Sequence, residues 1–200
     1  MTSFDKLLAD LADGLNTLSS RSQVAFFWAA SWALRPEFRR WAAHRGVPTE
    51  TLLDQAVRVA EQFAVEGIRA ADVEVLLRAL EEATPAGESP DTYSSTSAQD
   101  CWICADLCIR VMTDDGMASG YGVEFALEPV VSSATERAFG ISQVGSGPQE
   151  DQQLQTVLRD PRVMSAIDFC RWAAEFLRER PAPTKEHLML LRSRSTVLAP

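Results

Sequence analysis

The sequence predicts an all-α fold, and three observations carry that prediction. Apolar residues recur at spacings of three and four along nearly the whole chain. No alternating run of β-branched residues is long enough for a strand, and no repeat of roughly 20 to 50 residues marks a solenoid. The expected arrangement is a compact single-domain helical bundle over residues 1–200, with about seven to nine helices around one central apolar helix.

The first helix carries Phe4, Leu7, Leu8, Leu11, Leu15 and Leu18 behind Ser3 as a candidate N-cap. The next segment, Arg21 to Leu34, is apolar nearly all round through Val24, Phe26, Phe27, Trp28 and Trp32, the pattern of a helix touched from several sides. Pro36 is expected to restart the chain in a short helix to about His44 that buries Phe38 and Trp41 and exposes Arg39 and Arg40. Gly46 would end it, and Pro48 with Thr49 would open another. That helix has a stripe of Leu52, Leu53, Ala56, Val57, Ala60 and Phe63; after Gly67, Val73, Leu76, Leu77 and Leu80 make the next.

Pro85, Gly87 and Pro90 place a loop over Thr84 to Ser97, and Asp100 to Met112 reads as a helix stopped by Asp114-Asp115-Gly116. A helix from about Ser119 contains Pro129, expected to kink or restart it, and a second loop falls near residues 140–148. Asp160-Pro161 is a strong start, with Asp as N-cap and Pro at the first helical position. The last helix begins near Thr184.

Composition narrows the function classes. Of 200 residues, 46% are apolar and 24% charged, with sixteen aromatics to anchor a core, so disordered and low-complexity classes are excluded. A formal charge of −9 would repel phosphate backbones, so nucleic acid is not an expected partner. The longest uncharged run, Ser22 to Leu34, spans about 20 Å as a helix, short of the roughly 30 Å of a membrane core. With no basic, apolar leader at its start, the chain is expected in the cytoplasm. Its charge is uneven: Asp54 to Glu136 holds 16 acids and four bases, whereas Arg21 to Arg45 holds five arginines and one glutamate. Such blocks are ordinarily solvated faces that pair across a bundle; the sharper reading is an acidic face for a basic partner.

Cys101, Cys104 and Cys108 share one helix face, and with Cys170 they are weak candidates for a metal or redox site. A continuous helix converges thiolates on one metal poorly, and Asp100 and Asp106 would disfavour a thiolate, so buried free thiols are expected. No metal or other cofactor is expected. Asp100 reads as the N-cap where the long loop meets its helix. A chemical role for it needs a second carboxyl nearby, and Glu81, Glu124 and Glu128 are the candidates; these four make up the expected binding site. Glu124 and Glu128 stand one turn apart, but the chain lacks the Glu-x-x-His of a di-iron bundle, and its histidines, His44 and His187, read as surface or capping residues. Gly140, Ser142 and Gly145-Ser146-Gly147-Pro148 match neither a nucleophile elbow nor a phosphate loop.

Gln23-Val24-Ala25-Phe26 followed by Arg35-Pro36-Glu37-Phe38 and Trp41 resembles the opening helices of the YjaG-like bacterial family of unknown function, where a Gln-x-x-Phe helix runs into an Arg-x-x-Pro-Asn-Tyr segment. Leu80-Glu81-Glu82-Ala83-Thr84-Pro85 is similar to that family's Leu-Glu-x-Ala-x-Pro helix ending, and Ala98-Gln99-Asp100-Cys101 to its Ala-x-Asp-Ala/Cys start. What the resemblance implies is a compact helical bundle, with no settled activity and no catalytic residues to carry over.

The function expected from these readings is a non-catalytic acidic protein-binding module for a basic partner, of which a toxin to be neutralised is one candidate. The alternative is an enzyme or metal-dependent protein using a carboxylate and cysteine pocket around Asp100 and Cys101. A third reading, a homo-oligomeric structural protein, rests on the number of Trp and Phe residues.

Overall fold

The computed structural model describes residues 3–45, 50–83, 93–113, 119–140 and 150–200. Among these residues there are nine α-helices and two 3-10 turns, and no strand. The helices are α1 (Ser3–Asn16), α2 (Ser20–Arg45), α3 (Glu50–Glu66), α4 (Val73–Glu82), α5 (Tyr93–Thr113), α6 (Val123–Phe139), α7 (Glu150–Leu158), α8 (Pro161–Arg178) and α9 (Lys185–Ser195). The 3-10 turns are Ser119–Gly122 and Thr196–Leu198. The fold is all-α as the periodicity predicts, and no helix among the described residues is long and apolar enough to cross a membrane.

The core is built around α2. Val24, Ala25, Phe26, Phe27, Trp28, Ala29 and Ala30 are all fully buried, which no two-sided amphipathic helix achieves. Helices α3, α5, α8 and α9 pack around it, with α5 in the most extensive contact. Aromatic rings link the layers: Phe38 stacks on Trp102 at 5.7 Å, and Phe26 on Phe169 at 6.3 Å.

Pro36 does not restart the chain: α2 runs through it for 26 residues. The ring is exposed, so the helical bond it cannot make lies on the solvent side, while Leu34 and Phe38 on either side are buried and hold both halves in one core. Helix α6 likewise continues through Pro129. The largest difference is at α5, which begins at Tyr93 rather than Asp100. Ser97 and Ala98 are fully buried there, so tertiary packing overrides a run of poor helix formers. Helix α7 had no strong periodic signal and is added by the structure.

Asp160 caps α8 as expected, its carboxylate accepting the Arg162 N–H at 2.8 Å ahead of Pro161. At α9 the Thr184 side chain accepts the His187 N–H, and His187 Nδ1 accepts the Thr184 N–H at 3.1 Å, a reciprocal cap. The expected roles of Ser3, Gly46, Pro48 and Thr49, of residues 84–92, of Asp114-Asp115-Gly116 and of residues 141–148 lie outside the described residues and side chains.

Two glycines let the first 3-10 turn press into the core. Gly120 donates its N–H to Asn16 Oδ1 at 2.7 Å, and a Cβ there would collide with the Ala12 carbonyl oxygen of α1. A Cβ on Gly122 would collide with Leu107 and the Phe27 ring. By contrast, a Cβ on Gly14, within α1, would meet only Ala174 Cβ at 3.9 Å. Gly120→Ala is therefore expected to destabilise by ~1–3 kcal/mol, since backbone must move to admit it. Gly14→Ala is expected to stabilise by up to ~1 kcal/mol. Urea unfolding of the two variants checks both signs.

Candidate functional site

The site is made by α5 and α6. On α5, Ser97 and Asp100 are separated by three residues and so share a face one turn apart. On α6, Glu124, Glu128 and Ser132 follow at intervals of four and form a polar stripe along one side of the helix. Ser132 donates to Glu128 Oε1 at 2.7 Å. Pro129, between Glu128 and Val130, has no N–H to give the Phe125 carbonyl.

Asp100 is not an N-cap. It lies two turns inside α5 and is only 3% exposed, so it satisfies no free N–H at a helix end. Its Oδ2 and the Ser97 hydroxyl are buried and have no hydrogen-bond partner among the described residues. Burial is the main reason its carboxyl is pushed up to about 8, and the negative charges of Glu128 and then Glu124 push the same way. No cation among the described residues offsets them. The Glu124 carboxyl is also raised, by partial burial first and by Glu128 second.

Of the other expected site residues, Glu81 is elsewhere. It is exposed and accepts from Arg110 Nη2 at 2.7 Å, while Arg110 Nε reaches Asp106 at 2.5 Å. The four cysteines are buried and free. Cys101 points a different way from Asp100, its thiol donating to the Ser31 carbonyl of α2 at 3.4 Å. Cys108 donates to the carbonyls of Cys104 at 3.3 Å and Val24 at 3.6 Å. Burial pushes the Cys101 and Cys170 thiols up to about 12 and raises Cys104 and Cys108 well beyond their usual range, so all four stay protonated at neutral pH. Among the described residues, no three His, Cys, Asp or Glu side chains are placed to hold a metal ion.

Sequence reasoning named Asp100, Glu124 and Glu128 but missed Ser97 and Ser132. Ser132 was findable as the third residue of a Glu-x-x-x-Glu-x-x-x-Ser stripe. Ser97 was hidden by its place in an expected loop.

The Asp100 carboxyl makes stability depend on pH. Its folded value near 8 lies above the ~3.9 of an unfolded aspartate, so the native state holds an extra proton between those values. That contribution is complete below about pH 4 and is lost as pH rises through about 8. The thermal midpoint is therefore expected to fall from pH 5 to pH 9 in the natural protein and to fall markedly less in Asp100→Asn. Equal slopes in thermal unfolding would show that Asp100 ionises normally.

No protein-family model matches the chain, and no curated protein matches it. Among solved structures, the fold is similar to the crystal structure of a DUF416 family protein from Shewanella baltica OS155, with a TM-score of 0.71, 16% sequence identity and 92% of each chain covered. That likeness concerns the fold, and it does not carry the YjaG-like naming suggested by the sequence motifs.

Proposed function

We propose that the chain is a non-catalytic binding protein whose α5–α6 carboxylate site receives a cationic side chain, an arginine or lysine of a partner polypeptide. The observation that carries this reading is the Asp100 carboxyl, buried beside two glutamates with one oxygen that has no partner, and no cation near it, among the described residues. A guanidinium or ammonium there would make a charge-assisted hydrogen bond and relieve the repulsion among the three carboxyls. The net acidity of the chain supports it too, because complementary potential speeds the encounter with a basic partner. Capture of a basic toxin is one instance of the reading; nucleic acid is not, since its phosphates would meet carboxylates.

Four free buried thiols support a cytoplasmic setting. The motif resemblance to the YjaG-like family belongs to the same proposal and adds no activity to it.

Calorimetric titration at pH 7 with acetylated tetra-arginine and tetralysine tests the proposal. The expected result is saturable binding that weakens with salt and releases close to one proton per site, because a bound cation lowers the Asp100 carboxyl from about 8 to below the working pH. Asp100→Asn should abolish the proton release. Absence of saturable binding, or heats that do not vary with the buffer's ionisation enthalpy, would overturn the assignment.

A further inference from the structure

A second polar site lies on different elements from the carboxylates. A cleft of about 370 Å3 opens between α2 and the α9 end of the chain, with Trp32, Arg35, Pro36, Arg39, Arg192 and Thr196 on its walls. That volume lies within the range of small-molecule sites. Three guanidiniums line it and no carboxylate does.

Two of the three already have partners: Arg35 pairs with Asp54, and Arg39 with Glu50 at 2.6 Å. Arg192 has no ion pair among the described residues, and its guanidinium carbon sits 3.8 Å from the centroid of Trp32. Arg35 approaches the same ring at 4.4 Å. Stacking of guanidinium on indole is favourable, and it accounts for either arginine singly. It does not account for like charges gathered in one cleft, nor for two donors left over: Trp32 Nε1 and Arg35 Nε are buried and donate to nothing among the described residues. Burial and the charges of Arg39 and Arg192 lower the Arg35 pKa, which shows the crowding from the arginine's side. An anion in the cleft would offset that crowding.

We propose that the α2–α9 cleft binds the phosphate group of a small phosphorylated molecule, with Arg192 as the free guanidinium that engages it and Arg39 beside it. Phosphate fits better than carboxylate because three oxygens and up to two charges match donors on separate guanidiniums, and Arg presents them as a planar fork. The volume left beside one phosphate admits a small organic group.

The test uses the full chain, inorganic phosphate as probe, and acetate and chloride at matched ionic strength as controls, read by calorimetry and by thermal unfolding. Phosphate is expected to bind saturably and raise the midpoint by mass action, whereas acetate and chloride are not. Arg192→Ala, at an exposed position, should fold normally and weaken phosphate binding about tenfold or more. Arg194→Ala, whose guanidinium lies over Trp172 and outside the cleft, should leave it unchanged. Equal phosphate binding by the natural protein and Arg192→Ala, acetate binding as tight as phosphate, or no saturable signal would overturn the proposal. Asp100→Asn should bind phosphate normally, so this outcome and that of the carboxylate site are read separately.

Discussion

The seam between α2 and α5 is the constraint on which the rest of the structure depends. Between Ser22 and Ser31 helix α2 has no face it can leave in water, so neighbours must enclose it, and α5 makes the most extensive contact with it. Small residues allow that approach: Ala25, Ala29 and Ala30 on α2, with Ala98, Cys101, Cys104, Ala105 and Cys108 on α5, are all buried. The cysteines are part of this packing. Their thiols are small, and those of Cys101 and Cys108 donate to α2 carbonyls at Ser31 and Val24, a contact that alanine would fill less fully. Fixing Cys101 against α2 also fixes its chain neighbour. Asp100, about 100° round the helix from it, is turned toward α6.

Charge is distributed in the same frame. The basic block on α2 is tied to the acidic block that follows it in sequence, because Arg35 reaches Asp54 across the α2–α3 contact. Arg110 similarly joins Glu81 to Asp106. These pairs consume charges that sequence alone shows as a free acidic run. At the two sites, what remains without an ion pair among the described residues is the carboxyls at the α5–α6 contact and the single guanidinium of Arg192 in the α2–α9 cleft. A net charge of −9 therefore says less about binding than the few groups that folding leaves without partners.

Where a periodic apolar stripe coincided with local capping chemistry, the sequence was sufficient to read the structure. Asp160-Pro161 and Thr184 mark helix starts by bonds confined to a few residues, and the all-round apolar character of Ser22 to Leu34 marks the buried helix. Legibility failed where distant packing overruled a local signal. Pro36 has the local chemistry of a break, but exposure of its ring and burial of Phe38 let the helix continue. The residues from Tyr93 have the composition of a loop, yet the helix there is held by burial of Ser97 and Ala98. The same override moved Asp100 from the end of a helix to its interior. Glu124 and Glu128 were visible as neighbours of each other, but their meeting with Asp100 depends on how α6 lies on α5, which no spacing encodes. The α2–α9 cleft combines residues about 160 positions apart and left no local signal.

A buried carboxyl kept protonated is less costly than an ionised one, but it still costs more than an apolar side chain of the same volume. Asp100 and Ser97 together place two unsatisfied polar groups in one turn of the helix that closes the core, where leucine or alanine would pack without that penalty. Trp32 Nε1 and Arg35 Nε repeat the pattern in the cleft, and there the orphaned groups are donors instead of acceptors. Asp100 and the Trp32–Arg35 pair are therefore opposite in character, an unpartnered acceptor in the first and unpartnered donors in the second. A ligand that engaged either place only in the folded chain would also stabilise the native state, by an amount set by how much the unliganded side chains forgo.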